Sequence, residues 1–121
     1  MMDCKFVNFS NHPTSKWGKK QLEAALQYGE LEDFPFPVVP PAMNENDVRQ
    51  LADKYAEQLL KLYGAKTTVH VMGEMTFTFM VVTRLKELGI RCVASTTERK
   101  VTYTSDGVKQ TEFSFVKFRE Y

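Results

Sequence analysis

Hydrophobic and polar positions change period along the chain, and the changes mark its elements. Residues 5–9 form a short apolar run, broken by one asparagine and closed by turn residues, which predicts a first strand. Thr14 or Ser15 then stands where a helix cap is needed, and the helix is expected to reach Tyr28. Trp17, Gln21, Ala24, Ala25 and Tyr28 share one face at helical spacing, and Gly29 supplies the stop. Gly18 weakens the first turn of that helix. A second, shorter strand lies within residues 30–36. Pro35 and Pro37 end it, and the missing proline N–H sends it to a sheet edge.

The stretch 36–41 is stiff and extended, with prolines at 37, 40 and 41. Asn44 or Asn46 caps the next helix, whose stripe Val48, Leu51, Ala52, Tyr55, Leu59 and Leu62 faces a core before Gly64 ends it. Residues 67–72 are β-branched and predict a central strand. Gly73-Glu74-Met75-Thr76 turns into a third helix over 77–88, and its first two turns are apolar nearly all round, which predicts cover on more than one side. Residues 90–95 form a fourth strand, followed by the polar loop Thr96-Thr97-Glu98-Arg99. Asp106-Gly107 is a hairpin signal, and the last strand runs over 108–118. Alternation there puts Phe113 and Phe115 on one face, with Val116 and Phe118 on the other.

Strands alternating with helices imply an α/β fold, in which a parallel sheet of order about 2-1-3-4 is finished by a C-terminal antiparallel hairpin. The 121 residues suit one domain over 1–121. Lys+Arg 16 against Asp+Glu 15 leaves a net charge of +1, which argues against nonspecific DNA binding. Cys4 and Cys92 read as small buried thiols of a cytoplasmic protein, without the pairing of a zinc site or a disulfide framework. No signal peptide and no apolar run of about 18 residues is present, so no membrane contact is expected.

In an open parallel sheet, ligands bind beyond the carboxyl ends of the strands, where the order reverses. That switch point falls between strands 1 and 3, and it gathers three polar loops. Ser10 and Asn11 offer hydrogen bonds, and His12 is a candidate proton shuttle, or the three form a plain turn. Helix N–H groups just after them can receive a phosphate. Gly73 permits close approach of a ligand or of backbone, and Glu74 is either a base, a ribose ligand or a helix-dipole partner. Thr96 and Thr97 serve a ligand or simply a strand, and Arg99 suits a phosphate or a surface acid. His70, between Val69 and Val71, reads as a hydrogen-bonded structural histidine, and Trp17 as core rather than a base-stacking platform. Dinucleotide-binding glycine fingerprints, P-loops, zincin motifs and hydrolase elbows are absent, and no cofactor or metal is expected.

The segments N-F-S-N-H-P at 8–13, D-F-P-F-P at 33–37, V-H-V-M-G-E-M-T-F-T at 69–78, A-S-T-T-E-R at 94–99 and F-S-F-V-K-F-R-E-Y at the end resemble small stand-alone CRISPR-associated bacterial proteins. Those are similar to the CRISPR-associated Rossmann-fold sensors of antiviral defence, which bind cyclic oligoadenylates at a dimer interface, some small members being ring nucleases. The resemblance implies a Rossmann-like three-layer sandwich, a homodimer and a small nucleotide ligand. It places ligand contacts on Ser10, Asn11, Gly73, Thr96 and Thr97. His12 is then the acid/base group, Arg99 the charge stabiliser and Glu74 a further catalytic group of a metal-independent phosphodiesterase. Unlike the larger sensors, a protein of this kind is expected to act without an appended effector domain. The competing expectation is a non-catalytic interaction module that docks through the greasy last strand and the proline segment.

Overall fold

A computed structural model describes residues 4–121. The elements are β1 (Lys5–Ser10), a short 3-10 turn (Thr14–Lys16), α1 (Lys19–Leu26), β2 (Glu30–Asp33), α2 (Glu45–Tyr63), β3 (Thr68–Met72), α3 (Met75–Glu87), β4 (Arg91–Tyr103) and β5 (Lys109–Glu120). They build one five-stranded sheet of order β2-β1-β3-β4-β5. The first four strands are parallel and β5 runs antiparallel to β4, as the alternation of strands and helices predicts. The proline-terminated β2 is an edge strand, as expected.

Side chains alternate across β1 and feed two apolar clusters. Val7 and Phe9 pack with β3 residues Val69 and Val71 and with the buried faces of α2 and α3. On α2 that face is Val48, Ala52, Ala56 and Leu59, and the Asn44 side chain caps the helix by accepting from the Asp47 N–H at 3.1 Å. Phe6 points the other way and joins Trp17, Ala25, Val93 and Phe118. Removing Phe9, which touches Phe34, Phe36, Tyr55 and Phe77, is expected to cost roughly 3–5 kcal/mol.

Four local expectations need correction. Helix 1 does not start at Thr14 or Ser15: Gly18 is its N-cap, without a side-chain cap bond, and Trp17 sits in the connector that reaches the core. A glycine at that point separates the 3-10 turn from the α-helix. Helix α3 buries one side only, since Met75 and Phe79 are exposed. Residues Thr96–Arg99 are not a loop; β4 runs straight through them to Tyr103, held by β5 from the Val93–Glu120 pair to the Tyr103–Lys109 pair.

The fourth correction concerns the last strand. Thr96 pairs with Lys117 but Thr97 pairs with Phe115, so Val116 is an extra residue in a bulge. The slip turns Phe115 onto the same side as Phe118, with ring centroids 4.9 Å apart. The hairpin signal holds: Gly107 has φ +79°, and Thr104 N–H donates to Val108 O.

Candidate functional site

Strands β1 and β3 end side by side, with Ser10 opposite Met72, and the Asn11 N–H donates to Met72 O at 3.2 Å. The chain then folds back on itself. The His12 carbonyl accepts from Asn8 Nδ2 at 2.8 Å and from Trp17 Nε1 at 3.2 Å, while the His12 N–H donates to Ser10 Oγ. Backbone thus anchors the loop, and the His12 imidazole side is exposed. Asp33, at the end of β2, closes the loop from the other side. Its carboxylate accepts from Asn8 Nδ2 at 2.9 Å and from Thr14 Oγ1 at 2.7 Å.

Beneath the loop runs a buried polar chain that the sequence did not reveal. Asn8 Nδ2 donates to two oxygens, His12 O and Asp33 Oδ1, which fixes the amide with Oδ1 as acceptor. Oδ1 then accepts from Ser10 Oγ at 2.7 Å and from His70 Nδ1 at 2.9 Å. His70 Nε2 is therefore the acceptor of its ring, and Ser95 Oγ donates to it across 2.7 Å. Gln21 Nε2 donates in turn to Ser95 Oγ at 3.1 Å.

The order hydroxyl, imidazole, carboxamide is also that of a nucleophile relay, but the energetics oppose such a role. His70 is 1% exposed, and burial, reinforced by the charge of His12, pulls its pKa down to about 4. A general base works best near the operating pH, so this imidazole is a poor one. The chain instead satisfies buried polar groups and ties β1, β3, β4 and α1 together under the site. His70 is thus the structural histidine that its place between two valines suggests.

The sequence signals for this chain were His70, between two valines, and Asn8, a polar residue within an apolar strand, since both need partners when buried. Two partners of Asn8, Asp33 and His70, lie 25 or more positions away, and nothing local pairs them with it.

Above the chain, an open cavity of about 460 Å³ is lined by Asn8, Ser10, Asn11, Asp33, Glu74 and the segment from Phe34 to Val38. Two expected ligand contacts, Ser10 and Asn11, and one expected catalytic group, Glu74, meet here. Glu74 is also the N-cap of α3. Its carboxylate accepts from the Phe77 N–H at 2.8 Å and the Thr76 hydroxyl at 2.7 Å, and these bonds hold it below the usual carboxylate range. Both charged groups lining the cavity are acids.

Gly73 is needed for a different reason than ligand access. A Cβ there would lie 2.3 Å from the Phe36 ring, so the glycine makes room for the proline segment to pack over β3. Thr96, Thr97 and Arg99 stand apart from the loop. Met72 and Ser95 are level across the β3–β4 ladder, as the His70–Val93 pairing requires. Arg99 is thus four residues further out, about 13 Å along the strand. Neither His12 nor Arg99 is among the residues that line the strand-end cavity.

A second cavity, also about 460 Å³, lies on the α3 side of the β3 end between Met72, Met75, Phe79, Val82 and Tyr121. It is largely apolar. Thr78 lines it, and Thr78 Oγ1 is a buried hydroxyl without a hydrogen-bond partner among the described residues. Cys92 is buried as expected, and burial raises its thiol pKa to about 12, whereas Cys4 is only half-buried. Among the described residues no helix is long and apolar enough to cross a membrane.

Residues 4–119 match the model of the uncharacterized protein MJ1673 family, and the chain belongs to that family. No curated protein matches it.

Proposed function

We propose that this chain is a Rossmann-like three-layer domain that binds a nucleotide, a cyclic oligoadenylate or a relative of one, at the carboxyl edge of its parallel strands. The observation that carries the reading is the open cavity in which Ser10 and Asn11 from β1, Asp33 from β2 and Glu74 after β3 meet beside Phe34 and Phe36. Its volume lies in the range of small-molecule sites. Carboxylates paired with aromatic rings suit the hydroxyls of a ribose and the amino group and face of a purine. They do not suit a phosphate, which would sit at the rim near the exposed His12. The resemblance to CRISPR-associated sensors supplies the ligand class, and the cavity supplies the subsite for one nucleoside.

Binding, rather than cleavage, is the activity proposed. In-line attack by a ribose hydroxyl needs an acid/base group and a cation at one phosphate. Neither His12 nor Arg99 lines the cavity within one chain, and Glu74 is committed to capping α3.

Calorimetric titration with adenosine, adenosine monophosphate and cyclic tri-, tetra- and hexa-adenylate tests the reading. Val38 lines the cavity and is 88% exposed, so Val38→Trp fills the space without touching the core. At least one ligand should bind the wild type and lose affinity in the variant. No binding to any of the five, or equal binding by Val38→Trp, would sink the reading.

A further inference from the structure

From Thr97 outward, β4 and β5 leave the sheet as a two-stranded ribbon beyond the edge that bears the cavity. Thr97–Tyr103 project about 23 Å at ~3.3 Å per residue. The pairing register sorts the ribbon's side chains. Thr97, Arg99, Val101 and Tyr103 share a face with Phe115, Phe113, Thr111 and Lys109, whereas Glu98, Lys100 and Thr102 share the other with Ser114, Glu112 and Gln110. One face therefore carries all the apolar residues of the ribbon, interspersed with two cations and two threonines, and the other is wholly polar.

The apolar face is continuous with the core through Phe115, which packs on Phe118. Beyond Phe115 it is bare: Phe113 is 68%, Tyr103 69% and Val101 40% exposed. A lone two-stranded hairpin is marginal in water, and the exposed Phe113, Tyr103 and Val101 on one face leave an apolar strip that calls for cover.

Charge and topology indicate what covers it. The ionic groups on the apolar face are Arg99 and Lys109, both cations, while those lining the strand-end cavity are Asp33 and Glu74, both acids. The cavity rim also offers apolar surface in Phe34, Phe36 and Val38. A two-fold axis along the sheet normal turns the carboxyl edges of two copies toward each other and reverses the strand order. Each ribbon, standing at the β4–β5 side, then meets the other copy's β2–β1 side, where the cavity lies. A ribbon face about 23 Å by 10 Å buries roughly 450 Å² counting both surfaces. Two such contacts approach the ~1,000 Å² floor of a specific interface. Two cations are too few for a polynucleotide, whose backbone needs a longer basic stripe.

We infer that the β4–β5 ribbon is a dimerisation arm that lies across the strand-end cavity of a second copy of this chain, bringing Arg99 to the acidic cavity in trans. The dimer itself does not depend on the proposed ligand. The further role of Arg99, as the phosphate-facing cation that the cavity lacks, rests on the nucleotide reading.

Sedimentation of the wild type and of Val101→Asp and Phe113→Asp measures the dimer directly. Both positions are exposed, so the fold should persist, which circular dichroism checks. The wild type should sediment at twice the chain mass at micromolar concentration. Each variant should raise the dissociation constant about tenfold or more. Mixing an Arg99→Cys variant with a Val38→Cys variant, both in a Cys4→Ser background, and adding a short bis-maleimide should yield a mixed cross-linked species exceeding that from either variant alone.

A monomeric wild type at 100 µM, on the order of the concentration at which weak dimers form, would overturn the inference. So would a dimer indifferent to both aspartates, a cross-link no stronger in the mixture, or a monomer whose ribbon instead binds single-stranded RNA. Ligand titration separates the two ideas: a dimer that binds no nucleotide leaves the arm standing and removes the nucleotide reading.

Discussion

Acidification should unfold this protein through His70 before most of its carboxylates matter. The imidazole titrates near 6.5 in an unfolded chain but near 4 when folded, because burial excludes water and the charge of His12 opposes a second cation. Between those values the unfolded chain takes up a proton that the native protein refuses. Stability is therefore full above pH 6.5, falls as pH drops towards 4, and has lost the whole contribution below that.

At 1.36 kcal/mol per unit, the shift corresponds to roughly 3 kcal/mol. Two features make this an upper bound. Ser95 Oγ can rotate to accept from a protonated Nε2, so the hydrogen bond survives. The rings of Trp17 and Phe118, with centroids 5.3 and 5.4 Å away, give an imidazolium some cation–π attraction. A loss of about 1–3 kcal/mol is the working expectation, a large part of the margin of a small domain. Urea unfolding at pH 7, 5.5 and 4.5 measures it, with His70→Gln as the reference whose slope lacks this component. A His70 imidazole resonance titrating near 6.5 in the native protein, or equal slopes in the two proteins, would overturn this expectation.

Other outcomes follow from the same contacts. Gly73→Ala should destabilise by about 1–3 kcal/mol because its methyl meets the Phe36 ring, and Phe36→Leu in the same chain should recover part of the loss in thermal unfolding. Ser95→Ala strands the Nε2 acceptor of His70 and one donor of Gln21, and should cost about 1–3 kcal/mol in chemical denaturation. Glu74→Ala removes the cap of α3 and should cost about 1 kcal/mol. Glu74→Gln should keep most of that stability, which separates capping from any need for the charge.

The order of the parallel strands was readable because β1, β3 and the start of β4 are short apolar runs and each crossover carries a helix with a stripe or a stop. The Asp106-Gly107 turn was readable because its chemistry is local. What escaped has a nonlocal cause. The Thr96–Arg99 segment looks like a loop because its composition is polar, but a ribbon exposed on both sides can use polar residues within a strand. The bulge at Val116 reverses the alternation of every aromatic residue before it, so counting by twos put Phe115 and Phe118 on opposite faces.

For the site, the convergence of Ser10, Asn11 and Glu74 followed from the switch-point rule. Asp33 did not, because it reads as the end of a weak edge strand and becomes part of the cavity only when Asn8 and Thr14 draw it in. Gly73 was identified as a place of close approach, yet its neighbour is the protein's own Phe36.

The central claim is that the strand-end cavity is where a nucleotide binds. Amide chemical-shift mapping during titration with cyclic tetra-adenylate, and with the tri- and hexa-adenylates in parallel, tests it most directly. Shifts should concentrate on Ser10, Asn11, Asp33, Phe34, Phe36, Val38 and Glu74. Spectra unchanged by all three ligands, or shifts confined to the apolar cleft beside Met75 and Phe79, would contradict it.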